Sequence, residues 1–181
     1  MENVVLHDKT FRPLYTHEEL CNAVEVCANK ITAEYKEKEP LFISVLNGAF
    51  MFTSELMKRI DVPKAEISFI KVSSYQDTAS TGVVTSLIGL NHDITGRDIV
   101  IVEDMIDSGC SMHHLIQEFY NKGVNSVKVA AMFYKPNAIK YPITVDFPGI
   151  ALENDFVVGF GLDYNEYGRQ LPDLYILDSN N

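Results

Sequence analysis

The stretch DIVIVEDMIDSGCSM, residues 98 to 112, limits the possible folds more than any other part of the chain. Ile99, Val100, Ile101 and Val102 run without a polar interruption. A strand with one wet face would alternate, so this one reads as covered on both faces, the usual condition of a parallel sheet. Glu103, Asp104 and Asp107 follow at its carboxyl end, and Ser108, Gly109, Cys110 and Ser111 make a turn of small residues. Met112, Leu115, Ile116, Phe119 and Tyr120 then recur on one helical face, and Gly123 is placed to end that helix.

The same alternation of strand and helix extends along the chain. Thr16 and Glu19 have the spacing of a capping box, and Leu20, Val24, Cys27, Ile31 and Tyr35 continue as an apolar face, predicting a helix over about residues 17 to 37. LFISVL is a short buried strand, and Asn47-Gly48 turns into a second helix that fades near Arg59. AEISFIKVSS and VVTSLIGL read as strands, separated by SYQDTASTG, which is too polar and turn-rich to pack and reads as a mobile connection. SVKVAAMFY is a further strand, ended by Lys135-Pro136 because proline cannot donate to a ladder. The expectation is an α/β fold, doubly wound, with a mostly parallel sheet of about five strands flanked by helices. Such sheets bind ligands beyond the carboxyl ends of their strands, where the acids lie.

Composition narrows the partners. At 181 residues and 46% hydrophobic content, one domain over residues 1 to 181 can bury a sizeable core. A net charge of −10 and a pI near 4.9 argue against a nucleic-acid or anionic-membrane surface. A small anion needs only a local site. Cys21, Cys27 and Cys110 are odd in number, which predicts reduced thiols and a cytoplasmic protein. The start MENVVLHDKTF has no signal-peptide pattern, and no window approaches the ~20 apolar residues of a membrane span.

The turn at residues 107 to 111 brings successive N–H groups, a helix N-terminus and the Ser108 and Ser111 hydroxyls towards one anion, the shape of a monophosphate cup. It lacks the ending of a nucleoside-triphosphate loop and the three glycines of a dinucleotide fingerprint. Glu103 and Asp104 suit vicinal hydroxyls or a divalent cation, so the combination describes a ribose 5-phosphate site. His113 and His114 are adjacent on a helix and point apart, which disfavours a shared metal.

IVIVEDMIDSGCS resembles the phosphoribosyl-pyrophosphate signature of type I phosphoribosyltransferases. Most of the chain resembles the hypoxanthine-guanine phosphoribosyltransferases, through LNGAFMF at 46 to 52, SSY at 73 to 75, YKP at 134 to 136 and DFVVGFGLDYNEYGRQLP at 155 to 172, in family order. The resemblance implies transfer of 5-phosphoribosyl from phosphoribosyl pyrophosphate to N9 of hypoxanthine or guanine, in purine salvage. It assigns Glu103 and Asp104 to the ribose hydroxyls, Asp107 to proton acceptance near purine N7, and Asp107, Ser108, Gly109, Cys110 and Ser111 to the 5-phosphate. It assigns Asn47, Gly48 and Arg169 to pyrophosphate. Lys135 matches the donor to the purine 6-oxo group, Phe156 the stacking aromatic, Val157 a backbone contact and Asp163 a metal-associated carboxylate. The implied cofactor is Mg²⁺, held by Glu103, Asp104 and Asp163. The family also implies a small hood from the N- and C-terminal segments, assembly as a homodimer or homotetramer, and a loop that closes with Ser74 and Tyr75.

Asn47 stands where many relatives carry Lys or Arg, beside a peptide bond that is often cis. Cys110 and Ser111 replace commoner Lys or Asn and Thr, which puts an oxidisable thiol in the cup. Preference among hypoxanthine, guanine and xanthine stays open in the sequence. A ligand-sensing regulator with the same fold and a receiver-like signalling module are rival readings. The first lacks an appended DNA-binding segment, and the second leaves the late Lys and aromatic cluster unexplained.

Overall fold

The computed structural model describes residues 2–75, 84–90 and 93–178. A hairpin opens the chain, β1 at Val4–Leu6 and β2 at Lys9–Tyr15, followed by α1 at His17–Tyr35. Next come β3 (Leu41–Leu46), α2 (Phe50–Met57), β4 (Glu66–Tyr75) and β5 (Val84–Ile88). They are followed by β6 (Asp98–Ile106), α3 (Cys110–Asn121), β7 (Ser126–Tyr134) and β8 (Phe147–Ala151). Two short strands, β9 at Val157–Val158 and β10 at Leu174–Leu177, complete the order.

The main sheet has six strands in the order β5-β4-β3-β6-β7-β8. The run from β4 to β8 is parallel, the five strands expected, and β5 adds an antiparallel edge. Pleating sends alternate side chains to opposite faces. Phe42, Val100, Val102, Ala130 and Met132 therefore pack with Leu20, Val24 and Ile31 of α1 and Phe52 and Leu56 of α2. Leu41, Ile43, Ile99, Ile101 and Val129 pack with Met112, Leu115 and Phe119 of α3 on the other face. This two-sided burial is the physical reason for the unbroken apolar run of β6.

The capping box at α1 is present, with Thr16 Oγ1 accepting from the Glu19 N–H at 3.2 Å and Glu19 Oε2 accepting from the Thr16 N–H at 2.8 Å. The helix closes at Tyr35, two residues before the predicted end. The second helix starts at Phe50, two residues after the Asn47-Gly48 turn. Cys27 is buried within the α1 core, its thiol pushed up to about 11 by desolvation. All three cysteines are free.

The connection read as mobile divides differently. Ser74 and Tyr75 belong to β4, opposite Thr85 and Val84 of β5, because the strand runs three residues past Val72. The expected loop movement falls on residues 76–83, outside the described residues.

The hood is a four-stranded antiparallel sheet, β1-β2-β10-β9, which joins the two ends of the chain. Phe11, Val158 and Tyr175 form its small core. Among the described residues, no helix is long and apolar enough to cross a membrane.

Candidate active site

Chain order reverses about β3, since β4 lies on one side of it and β6 on the other. The loops leaving β3 and β6 thus diverge at a topological switch point, where a crevice forms above the sheet. Asn47 and Gly48 leave β3 there, and Asp107 to Cys110 leave β6.

A cavity of about 150 Å³ occupies the second of these loops, lined from Glu103 through Met105 to Met112. Gly109 has φ 79°, in the left-handed region, and occupies the N-cap position of α3 without a side-chain cap. A Cβ at Gly109 would also press on the end of the Ile143 side chain, but it is the turn that requires glycine. The segment after β7 braces the loop, with the Lys140 N–H donating to the Ser108 carbonyl at 2.9 Å. Within the turn the Cys110 N–H donates to Ser108 Oγ at 3.3 Å. The positive end of α3 gives this cavity a geometry suited to an anion.

Glu103 lines this cup, and Asp104 turns towards the β3 loop. Desolvation, and then the charge of Asp104, hold the Glu103 carboxyl well above its ordinary range. Asp104 Oδ1 accepts from the Met105 N–H at 2.7 Å. The Leu46–Asn47 peptide bond is cis. A Cβ at Gly48 would overlap the Asp104 carboxylate, and one at Gly161 would overlap the Gly48 carbonyl. Three chain segments therefore meet there, Gly161 against the Gly48 backbone and Gly48 against the Asp104 carboxylate.

A second cavity, of about 190 Å³, is lined by Met105, Asp107, Lys135, Phe156, Val157 and Asp163, with Asp155 and Leu162. Lys135 is only 12% exposed and places Nζ 3.3 Å from Asp107 Oδ2. Its backbone N–H donates to the Ile106 carbonyl at 2.9 Å, one rung beyond the β6–β7 pairing. Val157 is held by its pairing with Ile176 in the hood, while Phe156 is 45% exposed. Arg169 Nη1 donates to the Gly161 carbonyl at 3.0 Å, and Nη2 pairs with Asp163 Oδ1 at 2.7 Å. These two charges are thus a braced pair on the loop that covers Gly48.

A model of the phosphoribosyl transferase domain matches residues 13–165. A hypoxanthine-guanine phosphoribosyltransferase of Streptococcus pyogenes serotype M3 is 41% identical over 165 residues, 91% of each chain. The chain belongs to this family of phosphoribosyltransferases. The Streptococcus agalactiae enzyme of the same name is 39% identical over 174 residues, 96% of each chain. A crystal structure of a hypoxanthine phosphoribosyltransferase from Staphylococcus aureus has a TM-score of 0.89 and 31% identity, covering 99% of this chain and 98% of that one.

Of the residues singled out in the sequence, this phosphoribosyltransferase fold gathers Glu103 and Asp107 to Ser111 at the cup, Lys135, Phe156, Val157 and Asp163 at the second cavity, and Asn47, Gly48, Asp104 and Arg169 around the β3 loop. Tyr164 packs against Phe11 in the hood, and Tyr167, itself exposed, stacks on His7. His114 Nδ1 lies 2.8 Å from the Cys110 carbonyl and its ring is edge-on to His113. Among the described residues no three acids, histidines or thiols converge as a metal cage.

Met105, Leu162 and Gly161 were missed. Met105 lines both cavities and looks like an ordinary strand residue in sequence. The close glycines Gly159 and Gly161 in GFGLDYN are a signal for close backbone approach, but only the fold identifies Gly48 as what Gly161 approaches.

Proposed function

We propose that the chain performs purine salvage, transferring 5-phosphoribosyl from phosphoribosyl pyrophosphate to N9 of hypoxanthine or guanine and giving the nucleoside monophosphate and pyrophosphate. The observation that carries this reading is that the two cavities share Met105 and Asp107. One is an anion cup, and the other is flanked by an ammonium and an aromatic ring. A ribose 5-phosphate in the first directs C1 towards the boundary at Asp107, where a base in the second presents N9.

The 5-phosphate is received by Asp107, Ser108, Gly109, Cys110 and Ser111, and the ribose hydroxyls by Glu103 and Asp104. Lys135 donates to the 6-oxo group, Phe156 stacks on the ring, and the Val157 backbone meets its edge. That donor distinguishes a 6-oxo from a 6-amino purine, since an ammonium has no acceptor to offer. Asp107 takes the base proton, and alignment of N9 with C1 carries more of the rate than base strength. The leaving pyrophosphate is met by the Asn47 and Gly48 backbone and by Arg169, which is preorganised by Asp163 and Gly161.

The donor set is compatible with Mg²⁺. That ion keeps several waters and uses one or two carboxylates plus substrate oxygens, which the adjacent Glu103 and Asp104 can supply. Glu103 and Asp104 would hold it, with Asp163 contributing from the second cavity. Bound there, it would neutralise developing charge on pyrophosphate. The free cysteines support a cytoplasmic setting. Ile67 and Phe69, on one face of β4 and 40% and 43% exposed, support assembly as a homodimer or homotetramer.

The test is initial-rate nucleotide formation from phosphoribosyl pyrophosphate with magnesium, offering hypoxanthine, guanine, xanthine and adenine separately. Turnover of 6-oxopurines without adenine is the expected result. Tight phosphoribosyl-pyrophosphate binding with no turnover of any base would instead identify a regulator.

A further inference from the structure

The tip of the β1–β2 hairpin is a two-residue turn, His7-Asp8, between the paired residues Leu6 and Lys9. Such turns favour glycine or asparagine because they need positive φ, yet His7 adopts φ 52° here. Both tip residues reach the loop that follows Asp163. His7 Nε2 lies 3.1 Å from the Asn165 carbonyl, and its ring stacks on Tyr167 with centroids 4.2 Å apart. Asp8 Oδ1 accepts from the Tyr164 hydroxyl at 2.8 Å.

Tyr164 is also the side wall of Phe156. The two rings meet edge to face, with centroids 5.8 Å apart and planes at 83°. Phe11 supports both, 6.0 Å from Tyr164 and 6.1 Å from Phe156. The Phe156 carbonyl accepts from the Leu177 N–H at 2.9 Å, which fixes its backbone but not its ring. A side chain 45% exposed over an open cavity keeps its rotamer only if something beside it is rigid.

We infer that Tyr164 and Asp8 are positioning residues for the purine: the Asp8–Tyr164 hydrogen bond locks the Tyr164 ring, which sets the orientation of the Phe156 stacking platform. This rests on the reading of Phe156 as that platform. An unlocked Tyr164 lets Phe156 sample orientations that do not stack, so base binding weakens while the phosphoribosyl half of the site is untouched.

The experiment measures KM for hypoxanthine and for phosphoribosyl pyrophosphate, with kcat, in Tyr164→Phe, Asp8→Ala, Asp8→Asn and Phe156→Ala. Tyr164→Phe keeps the ring and loses only the hydroxyl. It and Asp8→Ala are each expected to raise the hypoxanthine KM about three- to tenfold, the scale of one net hydrogen bond, with kcat and the phosphoribosyl-pyrophosphate KM unchanged. Asp8→Asn retains an acceptor oxygen and is expected to restore the wild-type value. The Tyr164→Phe, Asp8→Ala double variant is expected to be no worse than either single one. If Phe156→Ala raises the hypoxanthine KM and the Tyr164 and Asp8 variants do not, the positioning role is wrong and the platform stands. If Phe156→Ala leaves that KM unchanged, the platform reading fails and the inference fails with it. Equal changes in both KM values, or no rescue by Asp8→Asn, would mean a general effect on the hood and overturn the inference.

Discussion

Lys135 and Asp107 face one another across the cavity between β6 and β7, Nζ to Oδ2 at 3.3 Å, the lysine largely enclosed and the aspartate 62% exposed. The contact follows from the parallel register, which sets Ile106 beside Tyr134 and carries the next residue of each strand over the same opening. Opposite charges in that position orient one another over the cavity.

That pairing separates the effects of two substitutions. Asp107→Asn is expected to lower kcat by about a hundredfold with smaller changes in either KM, the lower end of what positioned proton transfer contributes. Lys135→Ala is expected to raise the 6-oxopurine KM by about tenfold or more, the loss of one charge-assisted hydrogen bond. Steady-state kinetics on both variants check this. Wild-type parameters in either would remove the role given to that residue.

Glu103 gives a pH dependence of stability. Its folded pKa is raised above the ordinary 4.5 by desolvation and then by Asp104. The folded state therefore binds this proton more tightly than the unfolded chain. The resulting stability is fully present below pH 4.5 and is lost as pH rises through the folded value. Glu103→Gln removes that loss, so its Tm in the absence of substrate is expected to exceed the wild-type Tm at about pH 8, with the gap closing on acidification. Thermal denaturation across pH measures it, and a gap independent of pH would refute the titration argument. The same variant is expected to bind phosphoribosyl pyrophosphate more weakly.

Gly48 and Gly161 test the close approach at the β3 loop. Gly48→Ala drives a methyl group into the Asp104 carboxylate, and activity is expected to fall sharply with little change in Tm, because the loop lies outside the two main cores. Gly161→Ala adds the strain of φ 103° to a clash with backbone, with an expected destabilisation of about 1–3 kcal/mol. Denaturant unfolding and kinetics of both variants distinguish the two outcomes.

Thr16→Ala supplies the opposite pattern. It breaks the capping box of α1, far in role from the cleft, with an expected loss of about 0.5–2 kcal/mol. Activity at a temperature well below the transition is expected to be unchanged.

The parallel core was legible because its signals are local. An unbroken apolar run marks β6, a period of 3.6 marks α1 and α3, and the Thr16 and Glu19 spacing marks a helix start. The anion cup was legible too, since Ser108, Gly109 and the start of α3 are neighbours in the chain. The hood strands β1, β2, β9 and β10, and β8 at the edge of the main sheet, were not read from periodicity. They are short, they include Pro13 and Pro148, and their pairings join residues as distant as Phe11 and Leu177. The sequence by itself determined the layered α/β architecture and the tight turn of small residues at the end of β6, because backbone preference and burial pattern act over a few residues. Only the tertiary structure decided that Lys135 meets Asp107, that Gly161 lies against Gly48 and that Asp8 holds Tyr164, because those contacts depend on strand order and register, which no short stretch of sequence encodes.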